Sequence, residues 1–152
     1  MKILLKAEKN DMLNKLKEDY GISDFNPIIL KFGKEKYRFF TGKLGSHMLA
    51  ELDEDLRIEN IGLYLAREQD SRFRIAFDAL HILKNKINKN IIEIDDNQAQ
   101  EWMKGFSLSL NTEGNFKVIR YKNDWLGCGK NSDGKIQNNV PKERRLKSNA
   151  HL

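Results

Sequence analysis

Apolar residues recur at helical spacing in three stretches of the N-terminal half of this chain. Because residues three and four positions apart share one helix face, we expect helices over residues 8–20, 44–52 and 76–83. Short apolar runs predict strands over residues 27–32, 36–41 and 60–66. The polar turn Gly33–Glu35 joins the first two strands into a hairpin. The segment Phe73–Ile75 is predicted either as a strand or as the entry to the third helix.

After residue 90 the elements become shorter and glycine falls between them. Asp95 is a suitable N-cap for a helix over residues 96–104, and Gly105 a suitable stop. Strands are predicted over residues 90–94, 106–110, 116–121 and 125–130, with turns at 111–115, 122–124 and 131–134. Closely spaced strands with glycine predict a small, partly open β barrel. The join at 85–90 is short and polar, so we expect the two halves to pack together.

The composition of the 152 residues is that of a folded protein, with 39% hydrophobic and 32% charged residues. No apolar run approaches the roughly 18 residues of a membrane span. The first six residues are too short for a signal peptide, because Lys6 closes the apolar run at once. Cys128 is the only cysteine, so no internal disulfide forms. We therefore expect a cytoplasmic protein without membrane contact.

Positive charge is concentrated near the C-terminus. The whole chain has a formal net charge of +5. Residues 117–147 alone hold nine basic and three acidic side chains. Phosphate-rich partners favour such a segment, because each neutralised phosphate releases condensed counterions. A solvated basic surface explains the same charge pattern equally well.

Several motifs with possible chemistry have simpler structural interpretations. The segment Gly129–Ile136 has the spacing of a phosphate-binding loop, but Ile136 stands where a Ser or Thr hydroxyl is needed. A β turn flanked by lysines is the better interpretation. Cys128 lies between two glycines and is interpreted as a buried core thiol. No pair of histidines has metal-ligand spacing, so we expect no metal site. The acidic pairs Asp53/Asp55 and Asp95/Asp96 lie at a charged helix end and at a helix start, where they need no catalytic role.

Two groups of basic residues remain as candidates for binding. The first is a compact cluster over Pro141–Lys147, which follows the aromatic residues Tyr121 and Trp125. Trp125 itself is predicted to be in the core. The second group is Arg67, Arg72 and Arg74. These arginines either extend a basic surface or pair with Glu68, Asp70 and Asp78, and the sequence does not separate the two alternatives.

The C-terminal segment from Asn90 to Leu146 resembles a PUA domain. The resemblance rests on the strand Ile91–Ile94, the helix ending in Gly105, the strand Phe116–Tyr121, and the run Leu126-Gly127-Cys128-Gly129. PUA domains have a hydrophobic–Gly–x–Gly strand at that place. The ending Pro141-Lys142-Glu143-Arg144-Arg145 is similar to the tail of Sun-family RNA cytosine methyltransferases.

The N-terminal half resembles the pre-PUA domain of Nip-type ribosome-assembly factors. The shared order is helix, hairpin, helix, strand and then Arg72-Phe73-Arg74-Ile75 before a short helix. The basic tail departs from this family and is closer to the methyltransferases. We therefore predict an α+β protein with a pre-PUA-like α/β domain over 1–88 and a PUA-like pseudo-barrel over 89–147. Residues 148–152 are predicted to form a mobile tail.

The resemblance implies RNA binding and a role in ribosome biogenesis or RNA modification. It implies neither catalysis nor a cofactor, because some 90 N-terminal residues are too few for a doubly wound methyltransferase unit, which needs more than about 100. The expected partners are ribosomal or transfer RNA, with an RNA methyltransferase or assembly factor as a further partner. The phosphate-binding candidates are Lys104, Arg120, Lys130, Lys135, Lys142, Arg144 and Arg145. Arg67, Arg72 and Arg74 are additional candidates.

Two alternative functions are compatible with the sequence. A protein-interaction adaptor would dock a methyltransferase or assembly factor through the N-terminal half. An exposed apolar patch among Tyr37, Phe39, Phe40 and Tyr64 would favour that function. An enzyme acting through Cys128 or the acidic pairs is the weaker alternative, because no base, metal set or cofactor loop accompanies them.

Overall fold

The computed structural model describes residues 1–147 and 149–152. Within these residues the chain forms four α-helices and two five-stranded sheets. The predicted α+β class is confirmed. The predicted domain boundary at residue 88 falls between the last helix of the first half and the first strand of the second. Ser148, where the predicted tail starts, lies outside the described residues.

The first sheet is antiparallel throughout, and its five strands follow one another in chain order. Its strands are β1 (Lys2–Ile3), β2 (Ile28–Phe32), β3 (Lys36–Phe40), β4 (Leu63–Gln69) and β5 (Arg72–Ile75). The predicted β2–β3 hairpin turns at residues 33–35. The sequence gives no signal for β1, because two residues are too few for a pattern of alternation. This strand forms by pairing Ile3 with Leu30 at the edge of β2.

Three helices accompany the first sheet: α1 (Lys6–Tyr20), α2 (Ser46–Leu56) and α3 (Phe77–Leu83). The predicted helices are all present, and α1 buries Met12, Leu16 and Tyr20 as its spacing requires. Helix α2 extends four residues beyond its predicted end. There the Asp53 carboxylate accepts a hydrogen bond from the Ile58 amide at 2.8 Å, which satisfies an amide just beyond the helix.

The strand predicted over residues 60–66 lies three residues further along the chain. Residues 60–62 lie before the strand, and β4 continues through Arg67, Glu68 and Gln69. These polar residues have strand partners on β5, where Arg67 lies opposite Arg74 and Gln69 lies opposite Arg72. Hydrogen bonding to β5 therefore extends β4 through residues that lack an apolar pattern.

The second sheet has the order β6-β8-β9-β10-β7. Its strands are β6 (Ile91–Glu93), β7 (Leu108–Ser109), β8 (Phe116–Tyr121), β9 (Asp124–Ser132) and β10 (Lys135–Ile136), and helix α4 (Asp96–Met103) follows β6. The β6–β8 pair is parallel, and the other pairs are antiparallel. The sheet is a curled half-barrel, which confirms the predicted pseudo-barrel.

The β9–β10 hairpin corrects the predicted turn at 131–134. Strand β9 continues to Ser132, and the chain reverses at Asp133 and Gly134, whose φ angles are 53° and 73°. Positive φ at both central residues is the turn geometry that suits a two-residue hairpin loop. The two-residue strand β10 was not predicted, and it pairs with β9 on one side and with β7 on the other.

A single hydrophobic core joins the two halves. Tyr20 and Phe73 of the first half and Trp125 and Cys128 of the second belong to one buried cluster. The Tyr20 hydroxyl donates to the Phe73 carbonyl and lies 3.6 Å from Cys128 Sγ. A second cluster surrounds Trp102 on the other side of the curled sheet. The halves therefore pack together, as the short polar join predicts.

Candidate nucleic-acid interface

Helix α4 begins and ends where its sequence predicts. The Asp95 carboxylate accepts from the Gln98 amide at 2.8 Å, and the Gln98 side chain accepts from the Asp95 amide at 3.0 Å. This reciprocal pair is a capping box. The helix buries Trp102 completely, and the indole Nε1–H donates to the Leu126 carbonyl. Helix α4 is thereby fixed against β9.

The C-terminal segment crosses the C-terminal end of α4. The Leu146 amide donates to the Met103 carbonyl at 2.8 Å. The Asn138 amide group donates to the Trp102 carbonyl at 2.6 Å and to the Phe106 carbonyl at 3.0 Å. These bonds satisfy carbonyls that a helix end leaves without partners. Nothing in the sequence pattern distinguishes Asn138 from its neighbour Asn139, so its role was missed.

Three of the predicted RNA-binding residues lie around this helix end, and we call Lys104, Lys142 and Arg145 the α4–tail face. Lys104 is the residue that caps α4. Lys142 is exposed in the short 3₁₀ turn Lys142–Arg144. Arg145 packs its guanidinium against Gly105 and donates from Nε to the Val140 carbonyl at 2.9 Å. Cations at this position also complement the negative end of the helix dipole.

The lysines of the α4–tail face have no ionic partner in the described part of the chain. No carboxylate comes within 4.0 Å of either Lys104 or Lys142 among residues 1–147 and 149–152. Lys135, in the β9–β10 hairpin beside the Asp133–Gly134 turn, is likewise exposed and without an ion pair in that set. These three lysines therefore have charge available to an anion, and Arg145 and Arg74 also form no ion pair among the described residues.

Arg120 lies instead in a mixed cleft between β8 and the turn after α3. Its Nε donates to the Glu93 carboxylate on the parallel strand β6, and its guanidinium lies 5.3 Å from the centre of the Trp125 ring. The cleft has a volume of about 520 Å³, and Lys84 and Lys122 also line it. Trp125 is buried, as predicted, so its ring supports Arg120 and is not open to an incoming base.

Lys130 and Arg144 form ion pairs that link the two halves. Lys130 pairs with Asp70 in the β4–β5 turn. Arg144 Nη2 lies 3.0 Å from Asp78 Oδ1 at the start of α3. Such exposed pairs contribute little to stability individually. In this arrangement, however, both cations already face a carboxylate of the N-terminal half.

The three arginines of the N-terminal half have different environments. Arg67 donates twice to Glu35. Arg72 donates to Asp19 and Glu18 on α1, and the hydrogen bond to Asp19 is the main reason why the pKa of the Arg72 guanidinium is raised. Arg74 forms no ion pair among the described residues. Of the two alternatives, pairing with carboxylates is therefore found for Arg67 and Arg72, but with acids other than Glu68, Asp70 and Asp78.

Cys128 is a buried core thiol, as predicted, with 3% of its surface exposed. Burial raises the pKa of the thiol from 9.0 to about 11. A nucleophilic cysteine needs a lowered pKa and access to solvent. The position and environment of Cys128 are those of a packing residue.

The raised pKa of Cys128 predicts a pH-dependent stability. The folded thiol stays protonated between pH 9 and 11 while the unfolded thiol ionises, so stability falls as pH rises through this window. A pKa shift of this size lowers the free energy of unfolding by roughly 2–3 kcal/mol by about pH 11. In urea unfolding between pH 8 and 11, the free energy of unfolding should therefore fall more steeply with pH for the wild type than for Cys128→Ala. Equal slopes would contradict the assigned environment.

The other candidate motifs have structural roles. Residues 129–136 form the β9–β10 hairpin, so their spacing does not create a phosphate-binding loop. Asp53 accepts from an amide beyond α2, and Asp95 caps α4. Among residues 1–147 and 149–152, no group of three or more His, Cys, Asp or Glu side chains is arranged to hold a metal ion.

The apolar patch that would favour an adaptor is not on the surface. Tyr37 and Phe39 are buried in the shared core, with 6% and 5% of their surfaces exposed. Phe40 and Tyr64 are half-buried. Alternation along β3 places Tyr37 and Phe39 on the core face, which the sequence run Tyr-Arg-Phe-Phe does not resolve. This correction removes the observation that would have favoured docking through these aromatic residues.

Comparison with known proteins identifies the second half of the chain. Residues 89–146 match the family model described as the methyltransferase RsmF PUA domain. This segment is a PUA domain of the RsmF type. The predicted PUA fold and the resemblance of the tail to Sun-type methyltransferases are both confirmed. The PUA domain contains α4, the whole second sheet and the α4–tail face.

Similarity also extends into the N-terminal half. A protein of Shewanella oneidensis named ribosomal RNA small subunit methyltransferase F is 33% identical over 132 residues, which cover 83% of this chain and 26% of that protein. Proteins of the same name from Aeromonas salmonicida and Vibrio vulnificus are 23% and 29% identical and cover 90% and 59% of this chain. The chain spans about a quarter of the length of the first of these relatives. The resemblance to Nip-type factors stays a prediction.

Across the described ranges, no helix combines the length and the apolar character that a bilayer span requires.

Proposed function

We propose that this chain is a non-catalytic RNA-binding protein that acts in ribosomal RNA modification or ribosome biogenesis in the cytoplasm. The observation that carries the proposal is the PUA domain over residues 89–146 with unpaired lysines around the end of α4. The relatives named above are ribosomal RNA methyltransferases, which supports ribosomal RNA as the ligand class. Transfer RNA is the second ligand class that this function would allow.

The α4–tail face and Lys135 supply the proposed phosphate contacts. Within residues 1–147 and 149–152, Lys104 and Lys142 have no carboxylate to release before they meet a phosphate, whereas Arg120, Lys130 and Arg144 must each give up an ion pair. Because a paired cation gains less from a new anion, the unpaired lysines dominate the proposed affinity. Contacts of this kind fix the register of the protein on RNA, and any base reading occurs at unpaired nucleotides.

The proposal of a non-catalytic role rests on the residues of this chain. Its only cysteine is buried and has a raised pKa, which makes it a poor nucleophile. We therefore propose that the chain contributes RNA recognition as an accessory to rRNA or tRNA modification.

Binding of a labelled RNA hairpin, compared with a DNA hairpin of the same sequence, tests the function. We expect the RNA to bind more tightly, because the A-form helix and the 2′-hydroxyls give RNA a distinct shape. Fluorescence anisotropy at about 150 mM salt measures both affinities. An absence of RNA binding would contradict the proposal. Equal affinity for both hairpins would mean that the α4–tail face binds polyanions in general and does not prefer RNA.

A further inference from the structure

A cleft on the outer side of the β4–β5 hairpin has no role in the site described so far. It has a volume of about 310 Å³, and we call it the Arg74 cleft. Residues of the first half line most of it, and Asn139 of the PUA domain completes it. The lining residues are Glu35, Arg67, Glu68, Gln69, Arg74 and Asn139. The cleft therefore lies where the two halves meet.

Two arginines lie side by side in the lining of this cleft. Arg67 on β4 and Arg74 on β5 are direct partners in the strand register. Like charges directly opposite each other on neighbouring strands repel. Carboxylates near the two guanidinium groups relieve this repulsion only where they pair with each arginine.

The carboxylates of the cleft do not neutralise Arg74. Glu35 accepts both of its hydrogen bonds from Arg67, at 2.7 and 2.9 Å. Glu68 accepts from the Tyr37 hydroxyl at 2.8 Å and lies 3.7 Å from Lys31 Nζ. Both acids of the cleft are therefore already engaged, and Arg74 remains as its uncompensated charge.

Arg74 also has a buried donor without an acceptor. Its Nε atom is removed from solvent and has no hydrogen-bond partner among the described residues. Buried polar atoms are nearly always paired, so this orphaned donor shows that the described residues leave part of the hydrogen-bonding capacity of Arg74 unused. A guanidinium matches the tetrahedral oxygens of a phosphate with two parallel hydrogen bonds.

We propose that the Arg74 cleft is a phosphate-binding site formed by Arg74 and Arg67 together with Asn139. This inference rests on the proposed function, in which the phosphate belongs to the RNA backbone. The site would extend the RNA interface from the PUA domain onto the β4–β5 hairpin. A bound phosphate would give Arg74 the anion that it lacks among the described residues, while Arg67 is already paired with Glu35.

Arg74→Gln tests the site, with Arg57→Gln as its matched control. Arg57 is exposed at the end of α2, forms no ion pair among the described residues and does not line the cleft. We expect Arg74→Gln to lower RNA affinity about fourfold at 150 mM salt and to flatten the salt slope by about 0.7, the contribution of one phosphate. Asn139→Ala, on the other wall of the cleft, should weaken binding in the same direction.

A second measurement uses inorganic phosphate as the probe. At constant ionic strength, phosphate should raise the melting temperature of the wild type and of Arg57→Gln more than that of Arg74→Gln. Loss of this phosphate effect with unchanged RNA affinity would support a site for free phosphate. If Arg74→Gln and Arg57→Gln give the same results in both measurements, the proposed phosphate site is contradicted. The proposed function would still be supported if the wild type binds RNA.

Discussion

An alanine at position 129 is expected to lower the free energy of unfolding by about 3 kcal/mol. Gly129 lies where β9 passes closest to the chain after β10. A β-carbon there would overlap the Gln137 backbone carbonyl, lie 2.6 Å from Ile136 and lie 3.0 Å from the Trp102 ring. A backbone carbonyl cannot rotate away as a side chain does, so the strands themselves would have to separate.

Urea unfolding of Gly129→Ala and of the control Gly45→Ala measures this effect. Gly45 precedes α2, and a β-carbon added there meets nothing within 4 Å. We expect the control to change stability by less than about 1 kcal/mol, the usual effect of alanine at a helix N-cap. Equal stabilities of the two variants would show that β9 and the following segment are less closely packed than described.

Neutralising Lys104, Lys135 and Lys142 together is expected to lower RNA affinity about fiftyfold at 150 mM salt. Each lysine is expected to contact one phosphate, and each contact contributes about 0.7 to the slope of log affinity against log salt. All three lysines lack ionic partners within the described ranges, so replacing them by glutamine breaks no ion pair. The fold should therefore survive, and anisotropy with the labelled RNA hairpin measures the change.

Lys6→Gln/Lys34→Gln/Lys43→Gln is the matched control for this triple variant. These lysines are exposed, lie in the N-terminal half and form no ion pair in the described part of the chain. Both triple variants reduce the net charge by the same amount. We expect the control to bind RNA nearly as well as the wild type. A similar loss in both variants would mean that total charge, and not the PUA surface, governs binding.

The elements with strong local signals were predictable from the sequence. Asp95 and Gln98 are spaced for a capping box, and their hydrogen bonds form as that spacing requires. The Leu126-Gly127-Cys128-Gly129 run pointed to the PUA domain, and the structure gives its physical reason. Gly127 has a φ angle of 127°, and Gly129 leaves no room for a β-carbon. Gly127 is required by its backbone conformation, and Gly129 is required by the close approach of the Gln137 carbonyl.

The elements that were missed depend on partners far away in the chain. Strand β10 has two residues and exists because it lies between β7 and β9. Strand β4 runs through Arg67, Glu68 and Gln69 because β5 pairs with them. Local periodicity contains no information about such pairing, so the apolar pattern placed β4 too early and left out β10.

The candidate site shows the same division between local and long-range information. The basic cluster was visible in the sequence as a run of lysines and arginines. Which of them face a carboxylate was not visible, because Lys130 pairs with Asp70 and Arg144 pairs with Asp78 more than 55 positions away. Those pairs distinguish the cations that face a carboxylate of the N-terminal half from the lysines that we propose to contact RNA.

The salt dependence of RNA binding tests the central claim most directly. Affinity of the wild type and of Lys104→Gln/Lys135→Gln/Lys142→Gln is measured between about 50 and 400 mM salt. The account predicts that log affinity falls with log salt for the wild type, and that the triple variant has a slope smaller by about 2. Parallel slopes for the two proteins would contradict the claim that these lysines hold RNA phosphates.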